Sequence, residues 1–400
     1  MSPQPSDEYQ SFSYLRPGVD LVEFELAAEL DRVPALDLSL SAAQTSRTRR
    51  LLDTCLVVSL HDHPMVIPAD PLQTPPYVRA GRVHTGFRGL RISGLDVVFD
   101  NFLDGICCVH SQHGWQWNDV ITDIGMRFAD LAKQDHVVRV HSLADIDRAR
   151  ALGQLGLVAG LEAATMIESE VDRIDVLYGF GIRQMGIAYS QANGLGSGLS
   201  ERIDGGLTYF GERAIDRMNR IGMAIDVSHC GERTSLDVIR ASTQPVFITH
   251  AGARALWDSP RLKSDEVIRA CAERGGVIGI EAAPHTTLSR GREGQSLESV
   301  MDHFSYCVDL VGIEHVAFGP DTMFGDHASL HRAFANQLSL DRVTTATGHA
   351  PVIVDYVPGL ENPGECFHTI VGWLVKNGHS DTEIAAVLGG NVRRVLEQVW

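Results

Sequence analysis

Six side chains able to bind a metal or move a proton stand at the ends of short apolar runs: His61 and His63, Glu162, His229, His250 and Asp321. His61 and His63 are two apart. In an extended strand such residues project to the same side, so two imidazoles can face a common centre. Neutral imidazole suits zinc and other borderline divalent metals, with carboxylate completing the shell. Glu162 ends the run Leu-Val-Ala-Gly-Leu-Glu, and an acid at the tip of an apolar strand is costly to bury unless it is paired or bound to metal. Four histidines and one carboxylate are too many for one tetrahedral ion with an open position. Two ions sharing Glu162 as a bridge fit the count; such ions lie about 3.5–4 Å apart with a bridging hydroxide between them. Each residue also has a plainer reading alone. A strand-end histidine is most often a hydrogen-bonded core or surface residue, Glu162 could be a salt-bridge partner, and Asp321 could cap the segment that follows. Their coincidence is what points to one site.

These residues can meet only if the runs before them are parallel strands of a single barrel. Eight such runs are present: Leu56–His61, Gly105–His110, Leu157–Glu162, Ile182–Tyr189, Gly222–His229, Pro245–His250, Gly276–Glu281 and Val316–Asp321. Near-continuous Val, Ile, Leu and Ala are typical of strands buried on both faces. Amphipathic stretches of helix length lie between most of them, as at Leu207–Arg220, Arg233–Ser242, Ser264–Arg274 and Ser296–Val311. Strand then helix, repeated eight times, predicts an α/β chain folded as a (β/α)8 TIM barrel. Chemistry in that fold collects at the C-terminal ends of the strands, where all six residues fall. His-x-His on the first strand, His on the fifth and sixth and Asp on the eighth resembles the ligand order of amidohydrolase-type barrels. His110, Glu281 and His315 are read as structural, and Cys107, Cys108 and Cys230 as packing residues.

Four hundred residues are compatible with one barrel carrying insertions, and an apolar content of 44% supplies a large core. A formal net charge of −17 argues against nucleic acid or an anionic membrane surface as partner. Seven unclustered cysteines without CxxC spacing point to a reducing compartment. With no signal-like N-terminus and no run of about 20 apolar residues, the expectation is a cytoplasmic protein that does not engage a membrane. The oligomeric state, including a homodimer, stays open. Residues 1–50 are expected to form an N-terminal extension packed on the barrel, with helical spacing at Leu21–Leu30 and Ser41–Leu52, and residues 51–400 to form the barrel. Two long insertions, Pro64–Asn101 and Thr322–Pro363, leave from the C-terminal side and are candidates for walls or a lid over the site. Near the end, Ser380-Asp-Thr-Glu383 fits a capping box, Gly389-Gly390 is expected to stop that helix, and Asn391 to cap the last one.

Longer motifs carry a closer resemblance. The runs Asp204-Gly-Gly-Leu-Thr-Tyr-Phe-Gly211, Met218 to His229 and Ser242 to His250 are similar to those of the membrane (renal) dipeptidase family, the M19 peptidases. Gly312-Ile-Glu-His-Val-Ala-Phe-Gly-Pro-Asp321 and the tail from Ser380 to Arg394 are similar to that family as well, so that the resemblance covers roughly residues 50–400. It implies a barrel with two divalent ions, zinc above all, that hydrolyses dipeptides. His61, Glu162 as the bridge, His229 and His250 fall on the family's metal ligands, Arg261 on the arginine that binds the substrate carboxylate, and Asp321 on the acid that handles the proton.

Two positions depart from the family pattern. The first strand usually reads His-x-Asp, whereas here it is His-x-His, which makes that metal site more positive by one charge. The family's histidine at the end of strand 4, which contacts the tetrahedral intermediate, is replaced by Tyr189 in Met185-Gly-Ile-Ala-Tyr189. A phenol can still donate one hydrogen bond to an oxyanion. The expected activity is metal-dependent hydrolysis of the amide bond of a dipeptide or dipeptide-like carboxylated substrate through a metal-bridging hydroxide. Hydrolysis or lysis of a non-peptide metabolite, such as an ester, lactone or N-acyl compound, is the alternative.

Overall fold

The computed structural model describes residues 9–80, 82–102, 116–333, 335 and 354–400. Eight parallel strands succeed one another in chain order around a nearly closed barrel. They are β1 Val58–Asp62, β2 Val97–Asn101, β3 Leu155–Leu161, β4 Ile182–Gly186, β5 Ala224–Asp226, β6 Phe247–Ala251, β7 Val277–Ile280 and β8 Val316–Phe318. Apart from the half-buried Arg183, every residue in these strands is buried, which accounts for their near-continuous apolar sequences. The chain beyond β8 joins the ring to β1. Asp321 N–H donates to His61 O at 3.0 Å and His63 N–H donates to Thr322 O at 2.9 Å.

The interior holds Val58, Leu60, Val97, Phe99, Val158, Phe247, Val277 and Ala317, and the C-terminal helix Asn391–Val399 packs Val392, Val395, Leu396 and Val399 into the same cluster. That helix leaves the opposite end of the barrel, where the strands finish, for the chemistry. The four expected crossover helices form as Tyr209–Ile221, Glu232–Ala241, Asp265–Glu273 and Leu297–Val311. Thr208, Ser264 and Ser296 cap three of them, each side chain accepting from a backbone N–H three residues on.

Several sequence expectations need correction. The second strand was expected at Gly105–His110, which lies outside the described residues together with Cys107 and Cys108; the strand that pairs with β1 is Val97–Asn101. That run was obscured by Asp96 and Asp100, and Asp100 is accommodated by an ion pair with buried Arg127 at 2.6 Å. Leu21–Leu30 forms no helix and instead runs extended, Ala27 N–H donating to Ile67 O at 2.9 Å. Ser41 does cap the helix Ala42–Thr54 through a capping box. The insertion after β1 contains a small hairpin, Met65–Val66 with His84–Thr85, and the insertion after β8 begins with the helix His327–Ala333.

The capping box at Ser380 is present, but Gly389-Gly390 does not stop the helix, which passes through a π-turn at Ala386–Gly390 into Asn391–Val399. Gly389 serves close approach instead, since a Cβ there would lie 2.5 Å from Leu56 O. Asn391 is a helical residue whose amide donates to Ile313 O and Val316 O, each at 2.8 Å. His315 is structural as expected, bonding Gly276 O at 2.8 Å.

Candidate metal centre

The alternation of β1 is interrupted by a register shift between Ser59 and Asp62. Val58 and Leu60 lie in the interior core, yet His61 and His63 both reach the centre, their rings edge to face at 4.8 Å. Asp62 takes no part there. It accepts from Ser59 Oγ at 2.5 Å and from Thr322 N and Oγ1 at 2.8 Å, which ties β1 to the chain beyond β8. Glu162 follows β3 directly, at 2% exposure. Gly186 lets β4 pass it closely, because a Cβ would lie 1.9 Å from Glu162 O. His229 follows β5 and His250 lies in β6.

One carboxylate oxygen stands at the middle of these rings. Glu162 Oε1 is 3.3 Å from His61 Nε2, 3.4 Å from His229 Nε2 and 3.3 Å from His250 Nε2. The imidazole nitrogens also crowd one another, at 3.1 Å for the Nε2 atoms of His61 and His63 and 2.9 Å for those of His229 and His250. Neutral nitrogens do not stay so close with lone pairs opposed unless a proton or a cation lies between them. Among the described residues, three groups bring their ligand atoms within 4.8 Å of one another: His61, His63 and Glu162; Glu162, His229 and His250; and His61, His250 and Asp321. The donor set therefore fits divalent metal.

Burial favours the neutral rings that metal binding requires. It brings His61 down to about 4 and, with the charge of Arg261 adding, takes His229 well below the usual imidazole range; burial and the neighbouring His61 and Arg261 do the same for His250. Outer partners orient the rings. His61 Nδ1 lies 2.7 Å from Asn101 Nδ2, which holds the ring at its outer edge. Asn101 O also holds His63 Nδ1 at 3.2 Å. His250 Nδ1 is 2.8 Å from Thr249 Oγ1, within a network through Ser228 to Asp226. Asn101 and Asp226 were missed from the sequence, although each closes a strand run with a polar residue as the ligands do.

Asp321 reaches the same centre, with Oδ1 at 3.4 Å from His61 Nε2 and 3.2 Å from His63 Nε2. Burial works to raise its pKa, but the hydrogen bonds of His61 and His63 and the charge of His250 outweigh it and hold the carboxyl well below its usual range. Its φ of 57° is left-handed, a strained conformation for a residue at a functional position. Tyr189 stacks on His229, ring centroids 4.1 Å apart. Arg261 is 4% exposed, and its guanidinium meets a residue read from sequence as merely structural, Glu281, in a buried ion pair. Three further histidines gather nearby: His327 packs on His331 at 4.3 Å, and His331 lies 6.2 Å from His285. The i, i+4 spacing of His327 and His331 was the available signal for that wall.

A (β/α)8 barrel whose strand ends converge four histidines and two carboxylates defines a metal-dependent hydrolase of the amidohydrolase type. Residues 125–332 match the model of the membrane dipeptidase family, peptidase family M19, and the chain belongs to that family. It is 31% identical over 229 residues to an uncharacterized protein in the pqqA 5′ region of Klebsiella pneumoniae, covering 54% of this chain and 82% of that protein. To dipeptidase aclJ of Aspergillus oryzae it is 26% identical over 269 residues, covering 66% of this chain but only 57% of aclJ. An amidohydrolase from Pseudomonas aeruginosa superposes with a TM-score of 0.71 at 25% identity, covering 88% of this chain and 99% of that one. Among the described residues no helix is long and apolar enough to cross a membrane.

Proposed function

We propose that the chain hydrolyses the amide bond of a dipeptide or dipeptide-like small molecule with two divalent ions, most simply zinc. The observation that carries this reading is the pair of ligand groups, His61 with His63 and His229 with His250, that share Glu162 and nothing else. Each group supplies three donors, leaving room for an exchangeable ligand on each ion. When bound, the ions would acidify water to a nucleophile at neutral pH and polarise the scissile carbonyl.

The chain's own residues do the rest. Asp321 takes the proton of the attacking water and delivers it to the leaving nitrogen as the C–N bond breaks and the C–O bond forms, a role that its place beside His61 and His63 supports. The Tyr189 phenol, carried on the face of His229, donates to the oxyanion that develops on the carbonyl oxygen. Arg261, within electrostatic reach of His229 and His250, positions the far end of the substrate. Five described cysteines are free thiols, which supports a reducing, cytoplasmic setting for the same reading.

A non-peptide amide, ester or lactone is the second reading, favoured by Tyr189 and by the Glu281 carboxylate on Arg261. Metal analysis with a screen of L,L- and L,D-dipeptides and N-acyl compounds tests both. Two metals per chain with dipeptide turnover support the proposal. A stoichiometry of one that does not rise on metal supplementation would remove the two-ion arrangement.

A further inference from the structure

Arg261 and Glu281 form a charge pair inside the barrel mouth, and the reaction as described uses only Arg261. Glu281 directly follows β7, is fully buried, and is fixed at both backbone groups, its N–H donating to Ala251 O at 3.0 Å and its carbonyl accepting from Thr287 Oγ1 at 3.0 Å. Arg261 gives Nη2 to Glu281 Oε2, and the two charges cancel locally.

The pair leaves one polar atom on each partner unused. Among the described residues, Arg261 Nη1 and Glu281 Oε1 are both buried without a hydrogen-bond partner. Such atoms carry a desolvation cost that a bound ligand can remove. Between them they offer one donor and one acceptor. A carboxamide, with a carbonyl oxygen and an N–H, matches that pattern. A carboxylate brings acceptors and negative charge only, so it would meet Glu281 Oε1 as a like charge in a poorly hydrated place.

We propose that Glu281 is the specificity-determining residue of this site and selects substrates whose terminal group beside Arg261 is a neutral carboxamide rather than a free carboxylate. The proposal rests on the metal-dependent hydrolase reading above and names its substrate class. Arg261 then acts as a directional donor, with its charge already balanced, and not as an anion receptor.

The test compares one dipeptide as its free acid and as its C-terminal amide, assayed on metal-loaded enzyme at pH 8.5. Burial pushes Glu281 up to about 7, with Arg261 opposing the rise, so this pH keeps it ionised. Calorimetric binding of L-alaninamide against L-alanine gives a readout independent of turnover. Wild type should favour the amide at least roughly tenfold in kcat/KM and in Kd. Glu281→Gln should reverse the preference, moving the ratio by about a hundredfold, mainly through KM and with metal content unchanged. Glu281→Asp, which keeps the charge, should retain the wild-type preference. A wild-type preference for the free acid, or a ratio that Glu281→Gln leaves within twofold, or absence of binding by both probes, overturns the proposal. The expected binding ratios with no turnover of either dipeptide would retain Glu281 as a selector and reject the hydrolase reading instead.

Discussion

At the scale of single residues, the buried Glu162 and the half-buried Asp321 are both carboxylates beside histidines, but their surroundings assign them different work. Glu162 Oε1 sits among three imidazole nitrogens at 3.3–3.4 Å, so removing it withdraws the one donor common to both ligand groups. Glu162→Ala should therefore lose both metals or nearly so, read by elemental analysis of protein purified with zinc; retention of a full complement would reject the shared carboxylate. Asp321 lies at the edge of the cluster, with a left-handed φ that Asn tolerates better than most residues. Asp321→Asn is then a clean removal of the proton acceptor: metal should stay, while kcat falls by roughly 10²–10⁴-fold. Turnover near wild type in a metal-loaded Asp321→Asn enzyme would exclude Asp321 as the proton carrier.

At the scale of elements, what matters is how strand ends are held to their helices, and His303 is one such tie. It lies on the helix Leu297–Val311, bonds Leu288 O through Nε2 at 2.7 Å and accepts Ala253 N–H on Nδ1 at 2.9 Å, just beyond the end of β6. This bonding requires the neutral ring. Burial brings its pKa down to about 4 from the usual 6.5, partly offset by the bond to Leu288. Between those values the unfolded chain binds the proton and the folded chain does not, so stability is fully present above about pH 6.5 and is lost as pH falls towards 4. The contribution is on the order of 3 kcal/mol. Denaturant unfolding of wild type and His303→Gln across pH 4 to 7 should show a shallower acid loss in the variant, and parallel curves would remove His303 from the acid response. The buried ligand histidines push the same way, so only the difference between the two proteins isolates His303.

At the scale of the whole molecule, the start of the segment before the first helix is fastened to the barrel by one buried side chain. Asp130, on the helix Trp117–Leu131, accepts from Tyr9 Oη and Phe12 N, each at 2.6 Å, and from Ser11 Oγ. Ser11 Oγ in turn accepts from Thr85 N–H at 3.0 Å, which links the segment to the insertion after β1. We propose that residues 1–50 are an extension packed on the barrel, its start held there by this contact. Asp130→Ala should loosen the segment, lower Tm, and speed chymotryptic cleavage after the exposed Tyr14 at least several-fold under native conditions. Cleavage at the wild-type rate would show that the extension is held elsewhere.

The candidate site was legible in the sequence because histidines and acids are rare at the ends of buried apolar strands, and a buried strand writes its own apolar run. His61, His63, Glu162, His229, His250 and Asp321 all announce themselves in this way, and most of the barrel follows from the spacing between them. Val97–Asn101 did not, since Asp96 and Asp100 break the apolar pattern and only partners distant in sequence, such as Arg127, make Asp100 tolerable in the interior. Leu21–Leu30 has helical spacing without a helix because its backbone bonds are made to the segment around Ile67, which no local pattern encodes. Gly389-Gly390 reads as a stop, yet the helix continues because β1 packs too close for any side chain there. The pairing of Arg261 with Glu281 was likewise decided by tertiary structure: the two residues are 20 positions apart on different barrel units, and only closure of the ring brings their charges together in a place that water does not screen.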